Sequence, residues 1–485
     1  MNAAWASLPL WAVLFAMAVL RWRAASAGAV GLGVAVAVLW LSGESERLGT
    51  SMLAGVTLEA LSSAAVILWI ILPALLIFEL QSRVGALDRL RQALSGVSDD
   101  RVVQALLIAW FFGLFMEGAA GFGTPVALAA PLLVGMGFAP LRAVVLALLG
   151  HAGGVSFGAV GTPALTQIEL LSLSPQPLAG WTMLLHALPM LFLALALVRL
   201  ASETPLTRAR IKLAATAAAC FWFPAALFGW FVGPELPSLG GALIGGAVFL
   251  LLVRRRGSSS RWQLADLAPY LLILALVLLT RLLPPVQEAL SAVWLGWTWQ
   301  GYSGGLAPLY HPGTLLIISV LLAALLSGRG AALKPALQAA IGKLAPVALA
   351  LLMMLILARL LVHSGLIAQV AAAVAGLGIF WPLFAPLVGV LGTFVTGSAT
   401  ASNVLFSEFQ AATARALDLP LPVMAAAQNV GAAIGNAIAP HNIIAGAATV
   451  ALTGRDGDVM ARTLLPVLMY ALFAGLVLIG LLTFI

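Results

Sequence analysis

Apolar runs recur from Trp5 almost to Ile485 with only short polar breaks between them, and many are long enough to cross a bilayer. A helix needs about 20 mostly apolar residues for that crossing, and by this yardstick the runs predict about 12–14 spans. Lipid offers no partner for a bare N–H or C=O, so such a chain must satisfy its backbone internally, here as helices. With 62% hydrophobic and 8% charged residues, no soluble domain fits between the runs. The expected fold is an all-α polytopic membrane protein, with residues 1–485 forming a single integral membrane domain.

The net charge of +7 would raise nucleic-acid binding for a soluble chain. Here the basic residues cluster beside apolar runs, as in Arg21 and Arg23 and in Arg254, Arg255 and Arg256. They read as cytoplasmic anchors, so no nucleic-acid partner is expected and membrane lipid is. The loops at 82–101 and 199–212 are also basic, whereas 284–312 has Trp294, Trp297, Trp299, Tyr302 and Tyr310 and no Lys or Arg. That segment reads as an outward loop with interfacial aromatics. The charges follow the first apolar run instead of preceding it, so residues 5–20 read as a retained span and not as a cleaved signal. The lone Cys220 rules out an intramolecular disulfide and any multi-cysteine metal site.

Within this apolar frame, residues 115–125 place Glu117 beside Gly118, Gly121, Gly123 and Pro125. Glycine and proline interrupt a helix there, and broken backbone survives at membrane depth only where protein or a wet cavity satisfies it. A second small-residue break follows at Gly153 to Gly158, ending in Pro163. The far half carries another pair, Thr396 to Asn403 and Gly431 to Asn436, the latter ending in Pro440. Corresponding points (118 and 397, 140 and 420, 153 and 431, 163 and 440) lie at nearly constant separation, which indicates an internal duplication. The basic segment precedes the first pair of breaks but follows the second, so the copies read as inverted, with a first repeat at about 1–235 and a second at about 236–485. Paired broken helices in inverted repeats are the sequence signature of a secondary transporter. Close helix packing through small residues explains one such break well and four co-spaced breaks poorly.

A helix restarting inside the membrane presents unsatisfied N–H groups and a partial positive charge, an anion site. Gly121, Gly123 and Thr124 at the first break, with Ser398, Thr400, Ser402 and Asn403 at the third, supply backbone and side-chain donors for a carboxylate with a neighbouring hydroxyl. His441 follows Pro440 and is a further substrate-binding candidate. Glu117, a carboxylate out of water, is a candidate proton carrier, and His151, one turn before the second break, is a second titratable candidate. Gln428 and Asn429 are possible cavity donors. Arg359, with His363 one turn on, reads either as a carboxylate clamp or as a snorkelling end residue. Arg281 has the same two readings, with snorkelling favoured by Pro284 and Pro285. Glu59, Glu79, Glu169 and Glu408 read as structural. No metal site is expected, because no His pairs occur at ligand spacing. No phosphate loop or nucleophile elbow is present, so neither ATP-driven transport nor an enzyme is expected.

Glu117-Gly-Ala-Ala-Gly-Phe-Gly-Thr-Pro125, Leu132-Leu-Val-Gly-Met-Gly-Phe138, Ser156-Phe-Gly-Ala-Val-Gly161, Thr396-Gly-Ser-Ala-Thr-Ala-Ser-Asn403 and Gly454-Arg-Asp-Gly457 together resemble the L-lactate permease family, in order over roughly residues 50–485. The resemblance implies a multi-span bacterial inner-membrane symporter for lactate, glycolate or related 2-hydroxy-monocarboxylates, with protons as the coupling ion and no cofactor. It also implies that 117–125 and 397–403 form much of the site. Two departures stand out. The family's third break commonly reads Thr-Gly-Ser-Asp-Thr-Ser-Ser-Asn, where this chain has Ala399, and His151 stands where asparagine is usual. The missing acid leaves three consequences open: titration at Glu117 or His151, a different organic anion, or lost coupling in a uniporter. A passive anion channel would use the same helix ends. A membrane enzyme would have to rely on Glu117 with His151.

Overall fold

The computed structural model describes residues 3–43, 48–95, 97–121, 123–202, 205–253, 263–452 and 454–484. The anchors Arg254, Arg255 and Arg256, and Phe122 of the first break, lie outside the described residues. The chain starts with α1 (Ala3–Ala18), α2 (Ala24–Leu41), the long α3 (Thr50–Arg83) and the short α4 (Ala86–Ser95). Next, α5 (Arg101–Ala105) runs through a π-helical stretch into α6 (Gly113–Ala119), and α7 (Thr124–Gly135), α8 (Pro140–Ala152) and α9 (Gly158–Leu171) follow. The first half closes with α10 (Pro175–Ala201), α11 (Arg208–Phe231) and α12 (Pro237–Val253). After α13 (Leu264–Leu282) and α14 (Pro284–Ser291) come the strands β1 (Leu295–Trp299) and β2 (Tyr302–Leu306). Then come α15 (Pro312–Leu326), α16 (Leu333–His363), α17 (Leu366–Val374), α18 (Trp381–Thr396), α19 (Ala399–Ala416), α20 (Leu421–Gly435), α21 (Pro440–Ala448) and α22 (Asp456–Leu482).

Proline opens α8, α10, α12, α14, α15 and α21. At a first helical position its missing N–H is one that lacks a helical partner anyway, and its fixed φ suits the helix. Among the described residues nine helices are long and apolar enough to cross a membrane, or ten with α8 and α9, bent by 56°, taken as one span. α1, α7, α12 and α15 are shorter apolar helices. The number of crossings therefore depends on how these short helices and the broken ones are counted.

The two ends of the bundle differ. α3 and α16 run antiparallel, and near one end Lys343 pairs with Glu79 at 2.5 Å. Beside it Arg89 and Arg329 both hold Asp266, at 2.6 and 2.7 Å. At the other end the β1–β2 hairpin covers α3: the Ser303 N–H donates to Glu59, and the Tyr302 ring lies 4.9 Å from that of His363. Gln300 and Gly301 turn the hairpin with φ of 48° and 86°, as a two-residue turn that matches strand twist requires. The aromatic segment 284–312, without Lys or Arg, is thus a helix and a hairpin, and it sits opposite the basic end.

Arg281 does not snorkel. Its guanidinium pairs with buried Glu235 at 2.8 Å and stacks 3.7 Å from the Tyr310 ring centroid. A buried carboxylate at the turn between α11 and α12 needs a cation, and that demand outweighs the pull of the interface.

α6 to α9 and α18 to α21 share one order: helix, break, helix, turn, helix, break, helix. α7 and α19 begin at 124 and 399 and α8 and α20 at 140 and 421, because α19 has 18 residues and α7 has 12.

Candidate functional site

Each break has a local cause. Gly121 and Gly123, at φ of 60° and 77°, take the chain out of α6 and into α7, and Gly397 at 75° does the same between α18 and α19. The second break is the most strained: Ala159, Val160 and Gly161 stand in succession at φ of 44°, 54° and 86°. Left-handed backbone costs a non-glycine residue roughly 1–2 kcal/mol, and such strain persists where the surroundings over-determine it. The fourth break is a short 3₁₀ turn, Asn436–Ile438, leading through Ala439 to Pro440.

All four breaks meet at one cavity of about 530 Å³. The first contributes Glu117, Gly121 and Gly123, the second Val155, Gly158, Ala159 and Thr162. The third contributes Thr396 to Ala401 and the fourth Asn436, His441 and Asn442. The opposite wall is apolar, formed by Ile71 of α3 and by Pro346, Val347, Leu351 and Met354 of α16. Exposed Arg23, at the start of α2, lies at the end away from the hairpin. The cavity therefore has one greasy side and one side where the N-termini of α7, α19 and α21 converge. Their leading N–H groups lack helical partners and carry partial positive charge, which favours an anion.

Glu117 is only 3% exposed. A Cβ at Gly158 would overlap its Oε1, so that glycine is needed for its close fit, whereas Gly121 is required by its positive φ. His151 stands 3.9 Å away, measured from Nε2 to Glu117 Oε2. His151 Nδ1 lies 2.7 Å from the Ala147 carbonyl, which can only accept, so Nδ1 carries the hydrogen. That assignment leaves the Nε2 lone pair facing Glu117 with no hydrogen-bond partner of its own. The pair is spaced for a proton to pass after a small movement.

The other residues expected at the site divide. Gly121, Gly123, Ser398, Thr400 and His441 line the cavity with Glu117. Thr124 caps the first break by donating to the Gly121 carbonyl at 2.8 Å. Ser402 and Asn403 point away from the cavity, fully buried: Ser402 donates to the Gly389 carbonyl, and Asn403 bonds Pro163 O and Asn429 Oδ1, both at 3.1 Å. Asn429 and Gln428 belong to the same buried network, which runs through Ser156 and His186 to Tyr470. These groups hold the second and third breaks together from behind. Asn436 and Asn442 also line the cavity, beyond the site residues expected from the sequence. Asn436 ends the Gly431 to Asn436 stretch and Asn442 follows His441, and each has a buried Oδ1 without a hydrogen-bond partner among the described residues.

The profile of the L-lactate permease family matches residues 2–301 and 305–485. The chain belongs to that family. It is 31% identical over 387 residues to an L-lactate permease of Streptococcus iniae, covering 75% of this chain and 81% of the relative. An L-lactate permease of Escherichia coli is 27% identical over 529 residues, covering 97% and 94%, and the glycolate permease GlcA of the same species is 27% identical over 475, covering 85% and 83%. Among solved structures, the YdaH transporter of Alcanivorax borkumensis, described as having an unusual topology, superposes with a TM-score of 0.52 at 15% identity over 91% of this chain and 89% of that one, a likeness of fold. The protein is thus a multi-pass membrane protein whose relatives are bacterial permeases. At the third break, Ala399 packs with Val155, Ala432 and Ala433 in a small apolar patch. A carboxylate there would lose that packing and stand across the cavity from Glu117.

Proposed function

We propose that this permease is a secondary active transporter that carries a small 2-hydroxy-monocarboxylate of the lactate or glycolate kind together with a proton across the bacterial inner membrane. The observation that carries this reading is the convergence of four helix breaks on one cavity that also contains a buried carboxylate. The substrate carboxylate sits against the leading N–H groups of α7 and α19, with Gly121 and Gly123 letting it approach the backbone. Ser398, Thr400 and His441 serve its oxygens, while Thr124, Ser402 and Asn403 hold the broken backbone in shape. The apolar wall of α16 takes the methyl or methylene end.

Glu117 is the proton carrier, with His151 as its exchange partner. A protonated Glu117 leaves room for the anion, whereas an ionised one repels it across the same small volume, so anion and proton load together. No cofactor takes part. The halves at about 1–235 and 236–485 act as inverted repeats, and their relative movement exposes the cavity to alternate sides.

Uptake into proteoliposomes, screened over lactate, glycolate and larger carboxylates with and without an inward proton gradient, tests this reading. We expect accumulation above equilibrium only with the gradient, and Glu117→Gln to lose accumulation while keeping lactate–lactate exchange. Accumulation intact in Glu117→Gln refutes the proton role. Ala399 in place of the acid favours one alternative, a uniporter without coupling. Uptake that never exceeds equilibrium at any pH gradient selects it, or a passive channel, over the symporter.

A further inference from the structure

A second charged cluster lies between the cavity and the hairpin end. On α16, Arg359 is five residues beyond cavity-lining Met354, and on α19, Glu408 is eight beyond Thr400, about 7.5 and 12 Å along their helices. The Arg359 guanidinium sits between two carboxylates, with Nη1 3.6 Å from Glu408 and Nε 3.9 Å from Glu59. Both distances exceed a hydrogen bond, and buried Nε has no hydrogen-bond partner among the described residues. The contrast with Arg281 and Arg329, held by carboxylates at 2.8 and 2.7 Å, is sharp. The acids also differ. Glu59 accepts from His363 at 2.8 Å and from the Ser303 N–H, and Glu169 accepts from Ser63 at 3.1 Å. Among the described residues Glu408 has only the loose contact to Arg359, with His363, Glu59 and its own helix's Arg415 as the other charges facing it and Glu169 facing Arg359 from α9.

We propose that Arg359 is a carboxylate-binding site on the hairpin side of the cavity, at which the substrate anion takes the place of Glu408. The inference rests on the transport of a monocarboxylate proposed above. The guanidinium fork matches a carboxylate in two parallel hydrogen bonds, a capacity that Glu408 leaves unused. Displaced Glu408 would be a buried anion parted from its nearest cation, so it takes a proton as the substrate enters. The step balances. The Arg359–Glu408 ion pair, one substrate carboxylate and one proton from hairpin-side water give an Arg359–substrate pair and a neutral Glu408, with one O–H bond formed and the site's charge unchanged. The cluster thus admits anion and proton one for one before either reaches Glu117. It offers a place for linkage in a chain whose third break carries no acid from Thr396 to Asn403.

The test is the KM for L-lactate uptake measured from the hairpin side at pH 5.5 to 8, in wild type, Glu408→Gln and Arg359→Lys, each checked for folding by its melting temperature. In wild type KM rises with pH, by up to about tenfold per unit where Glu408 is ionised. Glu408→Gln, which imitates the protonated state, flattens that slope to the part that Glu117 contributes and has the lower KM at pH 8. Arg359→Lys keeps the charge and loses the fork, and raises KM about tenfold at every pH. A flat wild-type profile, an unchanged slope in Glu408→Gln, or a wild-type KM in Arg359→Lys overturns the proposal. If Glu408→Gln fails to fold, Arg359→Lys decides it. Absence of uptake or exchange of any monocarboxylate by wild type is the different failure, that of the transport reading itself.

Discussion

Adding one methyl group at Gly158 tests whether the position of Glu117, and not merely its presence, matters. The new Cβ would overlap Oε1 of Glu117 and lie 3.2 Å from its Cδ. Ordinary carbon contacts begin near 3.5 Å, so the carboxylate would have to retreat by about 1 Å. It can do so, because the obstructing atom is the end of a flexible side chain. Gly431 receives the same methyl with the opposite result: there the Cβ would overlap the backbone carbonyl oxygen of Pro386 and lie 2.6 Å from its carbon, and α18 and α20 cannot part without losing their packing. Overpacking in a rigid core costs typically 1–3 kcal/mol or more, whereas a 1 Å misplacement of a reacting group costs on the order of a hundredfold in rate. Gly158→Ala should therefore keep a melting temperature close to wild type while gradient-driven lactate uptake falls about a hundredfold. Gly431→Ala should melt well below wild type. Scanning fluorimetry on the purified proteins, beside uptake into proteoliposomes, measures both. Full uptake in Gly158→Ala would refute the argument, and so would an unfolding of that variant as severe as in Gly431→Ala.

Two further substitutions probe the frame of the site. Ser398→Ala removes the side-chain oxygen that caps α19 by accepting the Ala401 N–H at 3.4 Å, a cap worth about 0.5–2 kcal/mol and here at the low end because the bond is long; uptake assays should show a raised KM that Ser398→Thr restores. At the basic end, burial raises the Asp100 carboxyl, but Arg210 at 2.7 Å and the Val102 N–H outweigh it and hold it below the ordinary carboxylate range. A carboxyl lowered by folding contributes stability above its unfolded value, about 3.9, and loses it as pH falls through the folded one. Arg210→Gln should melt lower than wild type at pH 6, and a pH series of melting curves should show that gap closing as pH falls from about 4. A gap that stays constant down to pH 3 would contradict the assignment.

Some of the site was legible because its cause is local. Gly123 and Gly397 must adopt positive φ, Pro140 and Pro440 open helices, and the Thr396 to Asn403 segment carries a row of hydroxyls and an amide; each of these is visible within a few residues. What was not legible concerns direction. Thr400 lines the cavity, but Ser402 and Asn403, two and three residues on, are rotated by roughly 200° and 300° around a helix of 3.6 residues per turn. They meet Gly389, Pro163 and Asn429 instead of substrate. Arg281 and Arg359 look alike in sequence, each near the end of an apolar run. One is fastened to Glu235 and the other suspended between Glu59 and Glu408, and those partners lie on other elements.

By itself the sequence determined that this chain lives in a membrane, that its helices break in two matched pairs, and which family it resembles. These follow from apolar run length, from the backbone limits of glycine and proline, and from short ordered motifs, all properties of neighbouring residues. Only the tertiary structure decided that all four breaks enclose one cavity, that Glu117 faces His151, and that Arg359 stands loosely held between cavity and hairpin. Those facts depend on helices far apart in the chain packing side by side, where burial leaves each polar group only the partners its neighbours supply.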